Sequence, residues 1–108
     1  MSAVWLYLTA SGREEAMAIS RAVVEERLAA CANVLGESRS IYWWEGKVRD
    51  EPETAFVLKT REELVDHLVA RVKELHSYSC PCVVALPIQG GNEEYLAWIE
   101  ATTGGAPE

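Results

Sequence analysis

The chain has 108 residues, 49% of them apolar and 25% charged, a globular composition that excludes extended disorder and suits one domain with a modest core, spanning residues 1–108. Ten Lys and Arg against seventeen Asp and Glu give a net charge of −7, and no basic cluster is present. Nucleic acid and anionic membranes are therefore excluded as expected partners, and solubility is the simplest reason for the negative surface.

No apolar run approaches the roughly 20 residues of a membrane span. The opening residues lack the basic segment and apolar stretch of a secretory signal. Cys31, Cys80 and Cys82 cannot all pair within one chain, so reduced thiols and a cytoplasmic location are expected.

Residues 4–9, nearly all apolar or β-favouring, predict a buried strand. Ser11 is placed to cap the helix that follows, with Glu14 as its capping-box partner. That helix is expected over 13–28, with an apolar stripe of Ala16, Ile19 and Val23. A second strand begins at 30–35, bends or bulges within Gly36 to Ser40, and continues through Ile41-Tyr42-Trp43-Trp44.

Residues 54–60 form the expected third strand. The two make a long hairpin with its tip between Gly46 and Pro52, because Pro52 cannot donate to a central ladder. The apolar spacing of Leu64, Val65, Leu68, Val69, Val72 and Leu75 predicts a helix over 62–75. A linker carries His76 to Cys82, and a fourth strand covers 83–88. Asn92 caps a last helix over 93–103, with Tyr95, Trp98, Ile99 and Thr102 on its inner side. Gly104 to Glu108 is expected to fray. The order βαββαβ plus a terminal helix predicts an α+β, ferredoxin-like sandwich with an antiparallel sheet and a long β2–β3 hairpin.

Adjacent Trp43 and Trp44 need explaining. Neighbouring strand residues point to opposite faces, so if one ring fills the core the other leaves it. Trp is enriched where one surface buries another, which points to a partner or a ligand. Glu45, Glu51 and Glu53 gather at the expected hairpin tip and are read as a solvated turn.

For nucleophilic catalysis a nucleophile must stand beside an oriented base. The imidazoles are His67, on a charged helix face, and His76. No phosphate loop, Gly-x-Ser-x-Gly or His-Glu-x-x-His run is present. An acylphosphatase-like enzyme is a remote alternative, since Thr9-Ala10-Ser11-Gly12-Arg13 only weakly matches an anion loop.

One constellation suggests a metal. His76 with Cys80 and Cys82, two residues apart, offers a soft donor set for Cu(I) or Zn(II). The competing reading is buried structural thiols; Cys31, between two alanines, is read as core.

The sequence resembles the CutA divalent-cation tolerance family over nearly its whole length. The resemblance is carried by Leu28-Ala29-Ala30-Cys31-Ala32-Asn33, Ser40-Ile41-Tyr42-Trp43-Trp44-Glu45-Gly46-Lys47-Val48, Leu58-Lys59-Thr60, His76 with Tyr78 and Pro81, Ala85-Leu86-Pro87-Ile88, Gly91-Asn92 and Tyr95-Leu96-Ala97-Trp98-Ile99. It implies a PII-like homotrimer in the cytoplasm, with hairpins extending sheets across subunit boundaries. It also implies a role in tolerance of copper and other divalent metals, with no organic cofactor and no catalytic activity. The resemblance attributes metal binding partly to a histidine of a His-Pro-Tyr motif and partly to a cysteine ending the first strand. Here His76 stands in His-Ser-Tyr, and Leu8 lies near where that cysteine would be.

On this footing Tyr42, Trp43, Trp44 and Glu45 are expected at the trimer interface, and Lys59 and Tyr78 in a pocket between subunits. His76, Cys80 and Cys82 are the candidate metal ligands. A trimeric scaffold with incidental metal binding is the alternative.

Overall fold

The pleat of the first strand, which sends successive side chains to opposite faces, divides the molecule into two sides. In the computed structural model, which describes residues 2–104, β1 (Ala3–Ala10) buries Val4, Leu6, Leu8 and Ala10 on one side. Trp5, Tyr7 and Thr9 lie on the other. The remaining elements are α1 (Arg13–Glu25), β2 (Cys31–Trp44), β3 (Lys47–Arg61), a 3-10 turn (Glu62–Leu64), α2 (Val65–Leu75), β4 (Val83–Pro87) and α3 (Glu93–Thr103).

The strands form one sheet in the order β2-β3-β1-β4, with every neighbouring pair antiparallel. This is the α+β ferredoxin-like arrangement expected from the sequence. α1 and α2 cover one face, where Ile19, Val23, Leu68 and Val72 pack with Leu6, Leu8, Phe56 and Leu58. Burying each such side chain contributes about 1.5–3 kcal/mol. Thr60, also buried there, donates its hydroxyl to the Leu28 carbonyl at 2.8 Å.

α3 packs elsewhere. Ile99 meets Ala3 and Ala30, and Arg61 donates to the Thr103 carbonyl at 3.1 Å. Ala3 and Arg61 alternate with the core residues, so α3 crosses one end of the opposite face. The rest of that face is uncovered. Asn92 caps α3 as expected, its side chain accepting the Glu94 amide at 3.0 Å. Ile99 and Thr102 point inward, but Tyr95 and Trp98 remain half-exposed. They stack on each other at the sheet end, ring centroids 5.5 Å apart.

Four sequence expectations change. α1 stops at Glu25, three residues early, in a Schellman closure. There Arg27 adopts φ 62°, and Leu28 and Arg27 donate to the Val23 and Val24 carbonyls. Ser11 does not cap α1, because Gly12 occupies that position without a side-chain bond. Ser11 instead donates its amide and hydroxyl to Glu15, at 3.0 and 2.8 Å. The first residues of the expected 62–75 helix form the 3-10 turn. Beyond Gly104, the expected frayed tail lies outside the described residues.

The fourth change concerns the hairpin. The bulge appears where expected, as a register shift between Val34 and Gly36. The tip, however, is the two-residue turn Glu45-Gly46, with φ 52° and 78°, a type I′ geometry that matches strand twist. Asp50, Glu51 and Pro52 therefore belong to β3, opposite Ile41, Ser40 and Arg39. Pro52 is tolerated because β1 pairs with β3 only over Thr54–Arg61, so at Pro52 β3 has a single neighbour.

The tip makes a local prediction. A Cβ at Gly46 meets nothing within 4 Å, yet its φ of +78° disfavours any side chain. Gly46→Ala is expected to cost about 1 kcal/mol, measured as a lower urea midpoint at fixed protein concentration.

Candidate functional site

The uncovered sheet face carries a cavity of about 720 Å³. Strand periodicity assembles it, since residues two apart share a face. β1 contributes Tyr7 and Thr9, β2 contributes Ser40, Tyr42 and Trp44, and β3 contributes Glu51 and Glu53. Tyr78, Ser79, Cys80, Pro81 and Cys82, on the segment between α2 and β4, close one side, and Ile41 completes the rim.

That segment is fixed by a buried histidine and a carboxylate. His76 donates through Nε2 to the Thr9 carbonyl at 2.8 Å and accepts the Tyr78 amide at Nδ1, 3.1 Å away. The carbonyl can only accept and the amide can only donate, so the proton sits on Nε2. Glu15 of α1 accepts the Ser77 amide at 2.6 Å and both Ser11 donors. Burial pushes its carboxyl up, but the Ser11 amide, the Ser77 donors and the Ser11 hydroxyl outweigh this and hold it at about 2.

Within the cavity, Glu53 is only 7% exposed. It accepts the Ser40 hydroxyl at 2.5 Å and the Tyr78 hydroxyl at 2.8 Å. Glu51 accepts the Tyr42 hydroxyl at 2.9 Å. Burial and then the bond to Glu53 raise the Tyr78 phenol well above its ordinary range. The bond to Glu51 raises Tyr42. Partial burial and the Glu53 charge push the Cys82 thiol up, with a hydrogen bond to Thr9 acting the other way.

The structure brings Tyr42, Trp44, Tyr78, Cys80 and Cys82 to one site. Trp43 and Glu45 stand apart on the hairpin. Neither tryptophan fills the core: Trp43 is 74% and Trp44 42% exposed, because both lie on the arm beyond the helices' reach. Lys59, six residues past Glu53 on β3, turns to α3, with Nζ 3.3 Å from the Tyr95 hydroxyl.

The metal donor set does not fit within one chain. Both His76 nitrogens are bonded internally, and a thiol pushed upward resists the thiolate form a metal needs. Among the described residues no group of three His, Cys, Asp or Glu side chains is arranged to hold an ion. Cys80 and Cys82 are exposed, and Cys31 is half-buried, less enclosed than the core reading expected.

Tyr7, Thr9, Glu51 and Glu53 are the cavity residues that sequence reasoning misses. A solvated turn groups Glu51 and Glu53 with Glu45. A turn at Glu45-Gly46 would have set both on one face of β3, opposite Ser40 and Ser38.

The architecture defines a class, a ferredoxin-like α+β subunit with half of one sheet face open. Residues 4–102 match the model of the CutA1 divalent ion tolerance protein, and the chain belongs to that family. It is 45% identical over 97 residues to the divalent-cation tolerance protein CutA of Thermus thermophilus, covering 90% of this chain and 94% of that one. It is 43% identical over 98 residues to the chloroplastic protein CutA 1 of rice, covering 91% of this chain and 55% of the rice protein. The chain thus spans about half the length of that relative.

The solved structure of the periplasmic divalent cation tolerance protein CutA from Archaeoglobus fulgidus superposes with a TM-score of 0.90. That match has 40% identity and covers 94% of this chain and 98% of that one. Relatives are thus described from the chloroplast and the periplasm. Among the described residues, no helix is long and apolar enough to cross a membrane. The family is named for ion tolerance, not for a reaction.

Proposed function

We propose that this chain is a non-catalytic, self-assembling protein of the cytoplasmic response to divalent cations, copper included. In this reading it forms a homotrimer through the hairpin arm and holds a metal ion or small effector where subunits meet. One observation carries the reading: the arm displays Ile41, Trp43 and Val48 at 68, 74 and 56% exposure, on the ribbon that includes the unpaired outer edge of β2. Large apolar side chains on an open strand edge form a surface that another chain covers.

Tyr42, Trp43, Trp44 and Glu45 are the assembly residues in this reading, and Tyr78 lines the cavity. Lys59 joins the same interface from the α3 end. A metal held through Cys80, Cys82 or His76 would need further donors from a second copy.

Size-exclusion chromatography with light scattering tests the assembly. The expected mass is three times the 12.0 kDa of one chain, and a stable particle of single-chain mass in dilute buffer overturns it. The internal bonding of His76 favours a second reading, a trimeric scaffold with incidental metal binding. Calorimetric titration with Cu(I), Cu(II) and Zn(II) separates the two, because saturable binding at micromolar metal supports the metal role and its absence supports the scaffold.

A further inference from the structure

Cys80 and Cys82 are free, exposed and separated by one residue, and both open onto the same cavity wall. Their segment, between α2 and β4, belongs to no helix or strand. Its ends are nevertheless pinned. On one side His76 is bonded to the Thr9 carbonyl and the Tyr78 hydroxyl to Glu53, each at 2.8 Å. On the other, Val83 enters the sheet opposite Leu8.

Proline pushes the residue before it toward extended backbone, which sets the Cα atoms of Cys80 and Cys82 about 6–7 Å apart. A disulfide takes Cα separations of about 4.4–6.8 Å. The bond is within reach, but closing it shortens a segment held at both ends. A disulfide that works against its surroundings is readily reduced, which is the property of a regulatory bond and not of a structural one.

We propose that Cys80 and Cys82 form a reversible thiol–disulfide pair, closed by a small-molecule disulfide such as glutathione disulfide, which draws in the cavity wall. The Cys80 thiolate attacks one sulfur of the oxidant and expels a thiolate. Cys82 then gives up its proton, attacks the Cys80 sulfur and expels the second thiolate. Two protein thiols are oxidised to one disulfide, and the oxidant is reduced to two thiols, which take up the protons. Partial burial and the Glu53 charge oppose the thiolate form of Cys82, so Cys80 attacks first. Tyr42 and Trp44 line the same cavity and are assembly residues in the proposed reading. A second copy therefore screens the thiols, and the free chain is the form that oxidises.

The test equilibrates the full chain, freed of metal with a chelator, against a series of ratios of reduced to oxidised glutathione. Alkylation and mass spectrometry follow. At oxidising ratios the chain is expected to lose two hydrogens and to alkylate once, at Cys31, with no glutathione attached. Cys82→Ser is expected to stop at one glutathione on Cys80. Tyr78→Phe, which frees one anchor of the wall, is expected to raise the equilibrium constant for closure about tenfold. Trp43→Glu, designed to leave the chain unassembled, is expected to close about tenfold faster or more than the assembled wild type.

Three alkylated thiols in both the wild type and Trp43→Glu at the most oxidising ratio overturn the pair. So does a wild type that retains a bound glutathione, or that pairs through Cys31 or between chains. A closure constant unchanged in Tyr78→Phe overturns the reversible device, because the bond then works against nothing. Light scattering on the same samples keeps this inference apart from the assembly: closure in a wild-type particle of single-chain mass leaves the pair standing and removes the assembly.

Discussion

Glu15→Gln is expected to destabilise the protein by about 2–3 kcal/mol at neutral pH and by almost nothing near pH 2. Three hydrogen bonds from Ser11 and Ser77 converge on this carboxylate, whose side chain is only 16% exposed. They hold it at about 2 against an ordinary 4.5. A carboxyl lowered by folding contributes stability that is fully present above its unfolded value. That contribution is lost as pH falls from about 4.5 through about 2.

Glutamine keeps one acceptor but turns an NH₂ group toward donors and carries no charge. Urea midpoints of the wild type and the variant, taken at one protein concentration from neutral pH to about pH 2, should therefore converge on acidification. A constant gap across that range would show that Glu15 acts through packing and not through its charge. The tether joins the N-terminal end of α1 to the segment that forms one cavity wall. The variant should consequently also weaken any ligand that the cavity takes.

Trp43→Glu separates the single chain from its assembly. In one chain the ring is mostly exposed and pairs across the hairpin with Val48. An isolated substitution at such a position changes stability by about 0.5 kcal/mol or less. In an interface the same glutamate places an unpaired carboxylate between apolar surfaces, at a cost of several kcal/mol. The expected result is a drop in mass to the 12.0 kDa of one chain, with the far-UV circular dichroism of the fold retained. Apparent thermal stability should fall as well, since association stabilises the native state by mass action. An unchanged particle mass would remove Trp43 from the interface.

The fold was legible because its elements obey simple periods. The nearly continuous apolar run of β1, the helical spacing of Leu68 and Val72, and the asparagine before α3 each led to the element observed. The errors fall where local signals compete. Asp50, Glu51 and Pro52 make a turn by composition, yet the glycine after Glu45 provides the positive φ a tight hairpin needs, and the backbone took that option. Ser11 had the composition of a cap but found a better partner in Glu15.

The cavity was legible only in part. Tyr42, Trp44, Tyr78, Cys80 and Cys82 stood out as unusual residues and do meet there. Tyr7, Thr9, Glu51 and Glu53 did not, because only strand register brings them together, and register depends on where the turn falls. His76 was read as a ligand because of its thiol neighbours. No sequence signal marks a carbonyl of β1, at Thr9, as its partner.

Among the described residues, β3 has β2 as its only sheet neighbour between Lys47 and Glu53. A two-stranded ribbon is marginal in water without a third strand or a packed face. Amide hydrogen exchange should then record a gradient along β3: slow from Ala55 to Leu58, where β1 lies alongside, and fast toward Lys47 whenever the arm is uncovered. Protection at Val48 and Arg49 becomes an internal gauge of association, readable residue by residue in a mixture of free and assembled chains.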